Sequence, residues 1–287
     1  MSAGRTARLR ILIAAVLFST AGAGIKLAAF GPWQVVVLRS AIAAATILAV
    51  LPASRRRWNA RVVLVGAACA ALIVLFVWAN KLTTAANTIY LQAAGPAYVL
   101  LLGPWLLREP IRRKDLILMA AVGLGFSLFF VGNETPAATA PDPLTGNALA
   151  ALGGLFWALT IIGLRWASTG RDGGTGTAAA VLVAGNVIAA AACLPLALPL
   201  PQAAPIDWLT VAFLGVFQLG LAYACLAPAV PHVPAFEFSL LTLLEPALNP
   251  IWAWIVHGEK PGAWSLAGGA IIIASTTLKT WIDSRRA

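Results

Sequence analysis

An all-α membrane protein of ten transmembrane helices, arranged as two inverted repeats of five, is the fold class that this sequence predicts. Three observations carry that expectation: a composition too apolar for an aqueous fold, basic residues confined to alternate loops, and an internal echo between two apolar runs. Of 287 residues, 60% are hydrophobic and 10% charged, whereas a soluble domain carries about 25% charged residues. Lipid must therefore be the solvent for most of the chain. Each crossing takes about 20 apolar residues, which leaves room for ten crossings and short loops but no soluble catalytic domain.

The net charge of +10 does not point to nucleic acid, because the basic residues sit in short loops between apolar runs rather than along one groove. Cys69, Cys193 and Cys225 all lie inside apolar runs. They read as small buried hydrophobes rather than a disulfide or metal frame. The N-terminal MSAGRTARLR followed by ILIAAVLFSTAGAG mimics a secretory signal. With many more apolar runs behind it, it reads as an uncleaved first span.

Punctuation by Gly, Pro and charge places spans near 9–29, 33–53, 61–80, 84–107 and 115–132, then 146–168, 175–198, 208–229, 234–256 and 262–282. The polar, proline-rich stretch 133–145 reads as a linker between a first five-helix repeat (1–132) and a second (146–287). Arg5, Arg8 and Arg10 precede span one; Arg55, Arg56, Arg57 and Arg61 follow span two; Arg108, Arg112, Arg113 and Lys114 follow span four. Arg165 and Arg171 flank the sixth-to-seventh turn, and Arg285 and Arg286 end the chain. With ten spans all of these share one side, while the other side keeps only Lys81 and Lys260 in its loops. The positive-inside rule then makes both termini cytoplasmic and the host the inner membrane. Trp33, Trp58, Trp166, Trp208, Trp264 and Trp281 near span ends corroborate these boundaries.

LQAAGPAYVLLLGPWLLREP (91–110) lies over LTLLEPALNPIWAWIVHGEK (241–260) at an offset of 150, matching Leu91 with Leu241, Pro96 with Pro246 and Glu109 with Glu259. AVLFSTAG in span one resembles GGLFWALT in span six. Five spans per half is odd, so the second half is inverted relative to the first. The loop REPIRRKD is strongly basic and its counterpart HGEKPGAW is nearly stripped of basic residues, as inversion requires. Inverted repeats let one half rock against the other around a midplane site.

From GLFWALT through LGVFQLGLAYACLAPAV to LLEPALNPIWAWIVHGEKP, the second half resembles an EamA repeat, and the first half a divergent one. The resemblance covers nearly the whole chain and implies membership of the drug/metabolite transporter superfamily, with ten helices in two inverted repeats. Bacterial relatives of this size include exporters of amino acids and related metabolites, the YddG and RhtA types among them. The seventh span, GTGTAAAVLVAGNV, lacks a counterpart to Arg39 of the second, so Arg39 has no symmetric partner.

Ionisable groups at membrane depth mark functional positions. Glu245, followed by Pro246, stands about halfway along span nine. It serves either as a proton-coupling or substrate-amine site or as a carboxylate paired with a nearby base. Arg39 either binds a substrate carboxylate or pairs with Glu245 or Glu237, and Lys26 snorkels to the outer interface or touches substrate. His232 and His257 lie at opposite ends of span nine, too far apart to share chemistry. Trp78, Tyr90, Tyr98, Trp157 and Tyr223 occupy span interiors, with Asn80 and Gln92 placed at the corner between spans three and four. They line a cavity or pack as core. Pro96 and Pro246, symmetric in the two halves, are the candidate hinges.

These features predict a secondary transporter, most simply an exporter of amino acids or related amphiphilic metabolites, working by alternating access and driven by a proton gradient or by the substrate's own gradient. No P-loop and no metal-ligand constellation is present, so neither a cofactor nor enzymatic chemistry is expected. Its partners are a small-molecule substrate and the lipid bilayer. A carrier for phosphorylated sugars or nucleotide sugars would need several basic residues at the cavity, and only Lys26 and Arg39 are at hand. A non-transporting membrane scaffold gains nothing evident from two opposed halves.

Overall fold

The computed structural model describes residues 3–55, 58–106, 113–131, 137–168, 175–229, 241–242 and 244–284. Among these residues every regular element is helical, and one isolated bridge between Ala137 and Ala140 is the only β-type pairing. The first crossing is made of α1 (Ala3–Ser19) and α2 (Ala21–Leu27). They part where the Ser19 and Thr20 hydroxyls donate to the carbonyls of Val16 and Leu17, each at 2.7 Å, in competition with the helix ladder. Helix α3 (Pro32–Val50) starts on a proline, whose missing N–H costs nothing at that position. After a single 3₁₀ turn (Pro52–Ser54) comes α4 (Ala60–Leu82), capped by the Asn59 side chain, which accepts from the Val62 amide at 2.9 Å.

Next come α5 (Ala85–Gln92), α6 (Gly95–Leu106), α7 (Arg113–Val131) and α8 (Pro143–Ser168). The Thr84 hydroxyl caps α5 by accepting from the Asn87 amide at 3.1 Å. Asp142 stands before α8, and hydrogen bonds from the Thr145 side chain and amide hold its carboxyl below the usual range. The remaining elements are α9 (Thr175–Ala197), α10 (Pro205–Phe213), a π-helical segment (Leu214–Leu221), α11 (Ala222–Ala229), α12 (Leu244–His257) and α13 (Ala263–Ser284).

Among the described residues, six stretches are long and apolar enough to cross a bilayer: Arg5–Leu27, Pro32–Val50, Ala60–Leu82, Pro143–Leu164, Gly176–Ala197 and Pro205–Ala229. Met119–Val131 and Ala263–Leu278 are shorter apolar helices. The structure corrects the expectation that 84–107 is one helix. That segment breaks at Ala93–Ala94 into α5 and α6, because Pro96 has no N–H to continue the ladder and its ring excludes the carbonyl four residues back. Gln92 therefore ends α5, two turns away from Asn80 and the Thr83–Thr84 corner rather than beside them. Pro246 lies within α12 and is buried. The regular eighth span expected over 208–229 contains instead eight π-helical residues. There Gly215 and Gly220 lie flat against Ile42 and Thr46 of α3, and the widened turn keeps both in contact.

The packing follows a two-fold exchange between the halves. Helices α3 and α9 pack together, as do α7 and α13. The contact of α4 with α8 is repeated by α11 with α1, that of α4 with α9 by the π-helix with α3, and that of α5 with α8 by α12 with α1. Each pair maps onto the next when every crossing is replaced by the one five places on. The largest core joins Ile25, Val36, Ile47, Phe76, Val77, Val183 and Leu214 across both halves. A second core, of Leu91, Val122, Phe129, Ala150 and Ile272, holds α5, α7, α8 and α13.

Candidate functional site

Polar side chains inside the bundle fall on three levels, one helical turn apart, because the residues that α2, α4 and α12 bring to them are spaced four apart. Gly22 and Lys26 share a face of α2, Phe76 and Asn80 a face of α4, Glu245 and Asn249 a face of α12. Four residues rise about 6 Å along a helix, so the levels stack at that spacing.

The deepest level centres on Arg39, which is only 3% exposed. Its guanidinium lies 5.9 Å from the centre of the Phe76 ring. Its Nε and Nη1 have no hydrogen-bond partner among the described residues. Tyr223 is within electrostatic reach of Arg39, Glu245 and Cys69, and Phe18 meets its ring edge-on at 5.1 Å. A cation stripped of water and left without a counter-charge is costly. A guanidinium offers paired donors to an anionic group. Glu245 lies within electrostatic reach of the same Tyr223, so one cationic and one anionic side chain flank this level. The expected ion pair from Arg39 to Glu245 is not formed; Glu237 lies outside the described residues.

One turn on, Asn80 and Asn249 are both fully buried. Asn80 donates from Nδ2 to the Phe76 carbonyl at 2.9 Å, which fixes its Oδ1 toward α2. There it lies 3.2 Å, and the Asn249 Oδ1 2.6 Å, from where a Cβ on Gly22 would sit. Neither amide atom of Asn249 has a partner among the described residues, nor has the Asn80 Oδ1. Each such atom costs about 1–3 kcal/mol, which a close-packed core does not carry without a use.

The third level closes the bundle at the end away from the arginine-rich loops. Lys26 and Glu259 form an ion pair at 3.0 Å with side chains 5% and 3% exposed. The ammonium also donates to the carbonyls of Thr83 (2.7 Å) and Thr139, and Glu259 Oε1 accepts from the Ala85 amide at 2.6 Å. Lys26 therefore does not snorkel outward; burial among three polar partners holds it inside. Around the pair, Lys81 donates to the Ala28 carbonyl at 2.7 Å and Asp207 accepts from the Ala29 amide at 2.8 Å. His257 Nε2 meets the Ala23 carbonyl at 2.9 Å, and Thr83, Asn87 and Asn147 bond to one another.

The other predicted residues have different surroundings. Trp78 stacks edge-on with Trp33 at 5.0 Å, its indole N–H buried and unpartnered among the described residues. Tyr90 packs on Gly269 of α13 and touches both cores. Tyr98 meets Phe126 edge-on at 6.1 Å and crowds Gly154, which also touches the Gln92 backbone, and Trp157 packs on Gly95. None of these described contacts is with Arg39. Pro96 opens α6 directly after the break. Sequence reasoning passed over Asn249, Gln218 (buried in the π-helix, its Oε1 unpartnered among the described residues) and the Lys26–Glu259 pair. A signal existed for two of them: Asn249 is an amide one turn from Glu245, and Glu259 recurs at Glu109.

Comparison with known proteins adds a family. Curated protein sequences yield no match. A protein crystal structure superposes with a TM-score of 0.63 at 21% sequence identity, over 98% of this chain and 98% of its own, which is a likeness of fold. The model of the EamA-like transporter family matches residues 6–131 and again 144–281. Two matches that together span nearly all of an all-helical, lipid-embedded chain decide the matter: this protein belongs to the EamA-like transporter family.

Proposed function

We propose that this protein is a secondary transporter that exports small zwitterionic metabolites, amino acids foremost, by alternating access around Arg39, Tyr223 and Glu245. The observation that carries the reading is the buried guanidinium of Arg39 with Nε and Nη1 left without a partner among the described residues. A substrate carboxylate docks on Arg39, and its ammonium faces Glu245. Phe18, Phe76 and Tyr223 supply the apolar walls expected of a small-molecule site. The basic loops favour an inner-membrane protein with both termini in the cytoplasm. Glu245 is the group placed to exchange a proton when the substrate ammonium leaves. Trp78 and Asn80 extend the lining toward the closed end, and Pro96 and Pro246 are the points at which spans four and nine bend.

The rival reading, a carrier of phosphorylated or nucleotide-linked sugars, loses one of its two cations, because Lys26 is already committed to Glu259. A single guanidinium does not match the charge of a phosphate ester. Counterflow decides the matter: liposomes containing purified protein and loaded with an unlabelled amino acid accumulate the labelled one. Absence of flux with every amino acid and amine, alongside flux of a sugar phosphate, overturns the proposal.

A further inference from the structure

We propose that Lys26 and Glu259 are the latch of the gate opposite the arginine-rich loops, and that their separation lets substrate leave by that face. The inference rests on the transport reading above for its purpose, but its geometry stands alone. Lys26 belongs to the first repeat and Glu259 to the second, and Glu259 also grips the Ala85 amide of the first. The pair therefore ties the halves together across the surface that must part in alternating access. Both side chains are almost wholly buried, so water does not screen the attraction as it would at a surface.

Glu259 reaches this position through a specific turn. Gly258 adopts φ +67°, its amide bonds to the Trp254 carbonyl at 2.8 Å, and the Glu259 amide bonds to the Ala253 carbonyl at 3.4 Å. The Gly258 bond is that of an αL helix ending, which folds the chain back at the end of α12 and aims Glu259 inward. Lys81 and Asp207 lie within electrostatic reach and hold the flanks of the same closure.

In the register that lays AVLFSTAG over GGLFWALT, the residue matching Lys26 is Leu164, so that position carries no lysine in the second repeat. The ionic tie at the Lys26 face favours closure there in the empty protein. Loading then takes place from the arginine-rich face, which is the order export requires.

Accessibility tests this. With Cys69, Cys193 and Cys225 replaced by alanine, Asn80→Cys places a thiol one turn below the latch, where it is buried when the gate is shut. A membrane-impermeant maleimide added to intact cells labels this thiol slowly while the pair is intact. In Lys26→Met and in Glu259→Gln, labelling accelerates about tenfold, as expected when the open fraction rises by that factor. The charge swap of Lys26→Glu with Glu259→Lys slows it again. Should the single variants unfold, Glu259→Asp weakens the pair without removing its charge and gives an intermediate rate. Unchanged labelling in folded variants overturns the latch, and so does acceleration that the charge swap fails to reverse. No substrate enters this assay, so its failure is separate from failure of counterflow.

Discussion

Asn249 presses its side-chain oxygen onto the backbone of Gly22, 2.6 Å from the point a Cβ would occupy. The Ala85 methyl lies 2.6 Å from the same point. No side chain at residue 22 fits without moving α2 away from α5 and α12. Gly22→Ala is expected to lower stability by about 1–3 kcal/mol, the usual cost of overpacking, and Gly22→Val by more. Thermal unfolding in detergent measures it; an unshifted melting temperature for Gly22→Val contradicts the close approach.

Arg39 separates stability from function. Removing a buried cation whose Nε and Nη1 are unpartnered among the described residues relieves a cost, whereas removing half of a formed ion pair creates one. Arg39→Met is therefore expected to keep or raise the melting temperature while lowering counterflow at least about tenfold, the value of a lost charge-assisted hydrogen bond. Arg39→Lys keeps the charge but not the paired donors, and is expected to fall between the two. A loss of stability in Arg39→Met comparable to that of Lys26→Met would mean that Arg39 is a structural ion-pair member.

Lys26→Met carries the opposite expectation. It strands Glu259 in a buried site, at a cost of about 3–5 kcal/mol. The charge swap recovers most of that loss in the same unfolding experiment, and a swap no better than the single variant argues against a paired role.

Glu245→Gln is expected to leave exchange of labelled for unlabelled substrate measurable and to remove its dependence on pH. A carboxylate that gains and loses a proton in each cycle makes net flux pH-dependent, and an amide has no proton to exchange. The check is flux measured across a range of pH for both proteins in the same liposomes. Persistence of the full profile in Glu245→Gln would assign proton coupling elsewhere.

Tyr223→Phe isolates one hydroxyl. The ring keeps its edge contact with Phe18, so folding is expected to be unaffected. Loss of a hydrogen bond to a charged group weakens binding by about 1.5–3 kcal/mol, which reads out as a raised apparent KM with little change in maximal flux. An unchanged KM removes Tyr223 from the site.

Much of the architecture was open to sequence reasoning because it depends on local or additive properties. Lipid as solvent follows from summed hydropathy, and the repeat from direct matches such as Pro96 with Pro246. The break after Gln92 was half legible: Pro96 was marked as a hinge, but 84–107 was still drawn as one helix. The π-helical turn was not legible, because Gly215 and Gly220 signal close approach only once Ile42 and Thr46 are known to face them. The pairing of Lys26 was not legible either, since nothing near residue 26 in the chain announces Glu259.

By itself the sequence determined the solvent, the helical class, the repeat and the identity of the few charged groups at depth. Each of these is set by composition or by spacing along the chain, which sequence records directly. The tertiary structure alone decided which of those groups meet. It left the Arg39 Nε and Nη1 unpartnered among the described residues beside Phe76 and Tyr223, paired Lys26 with Glu259 across 233 positions of chain, and closed Asn80 and Asn249 over Gly22. The reason is physical: in a low-dielectric interior the fate of a charge depends on what lies within a few ångströms, and in a two-fold bundle those neighbours come from the other half of the chain.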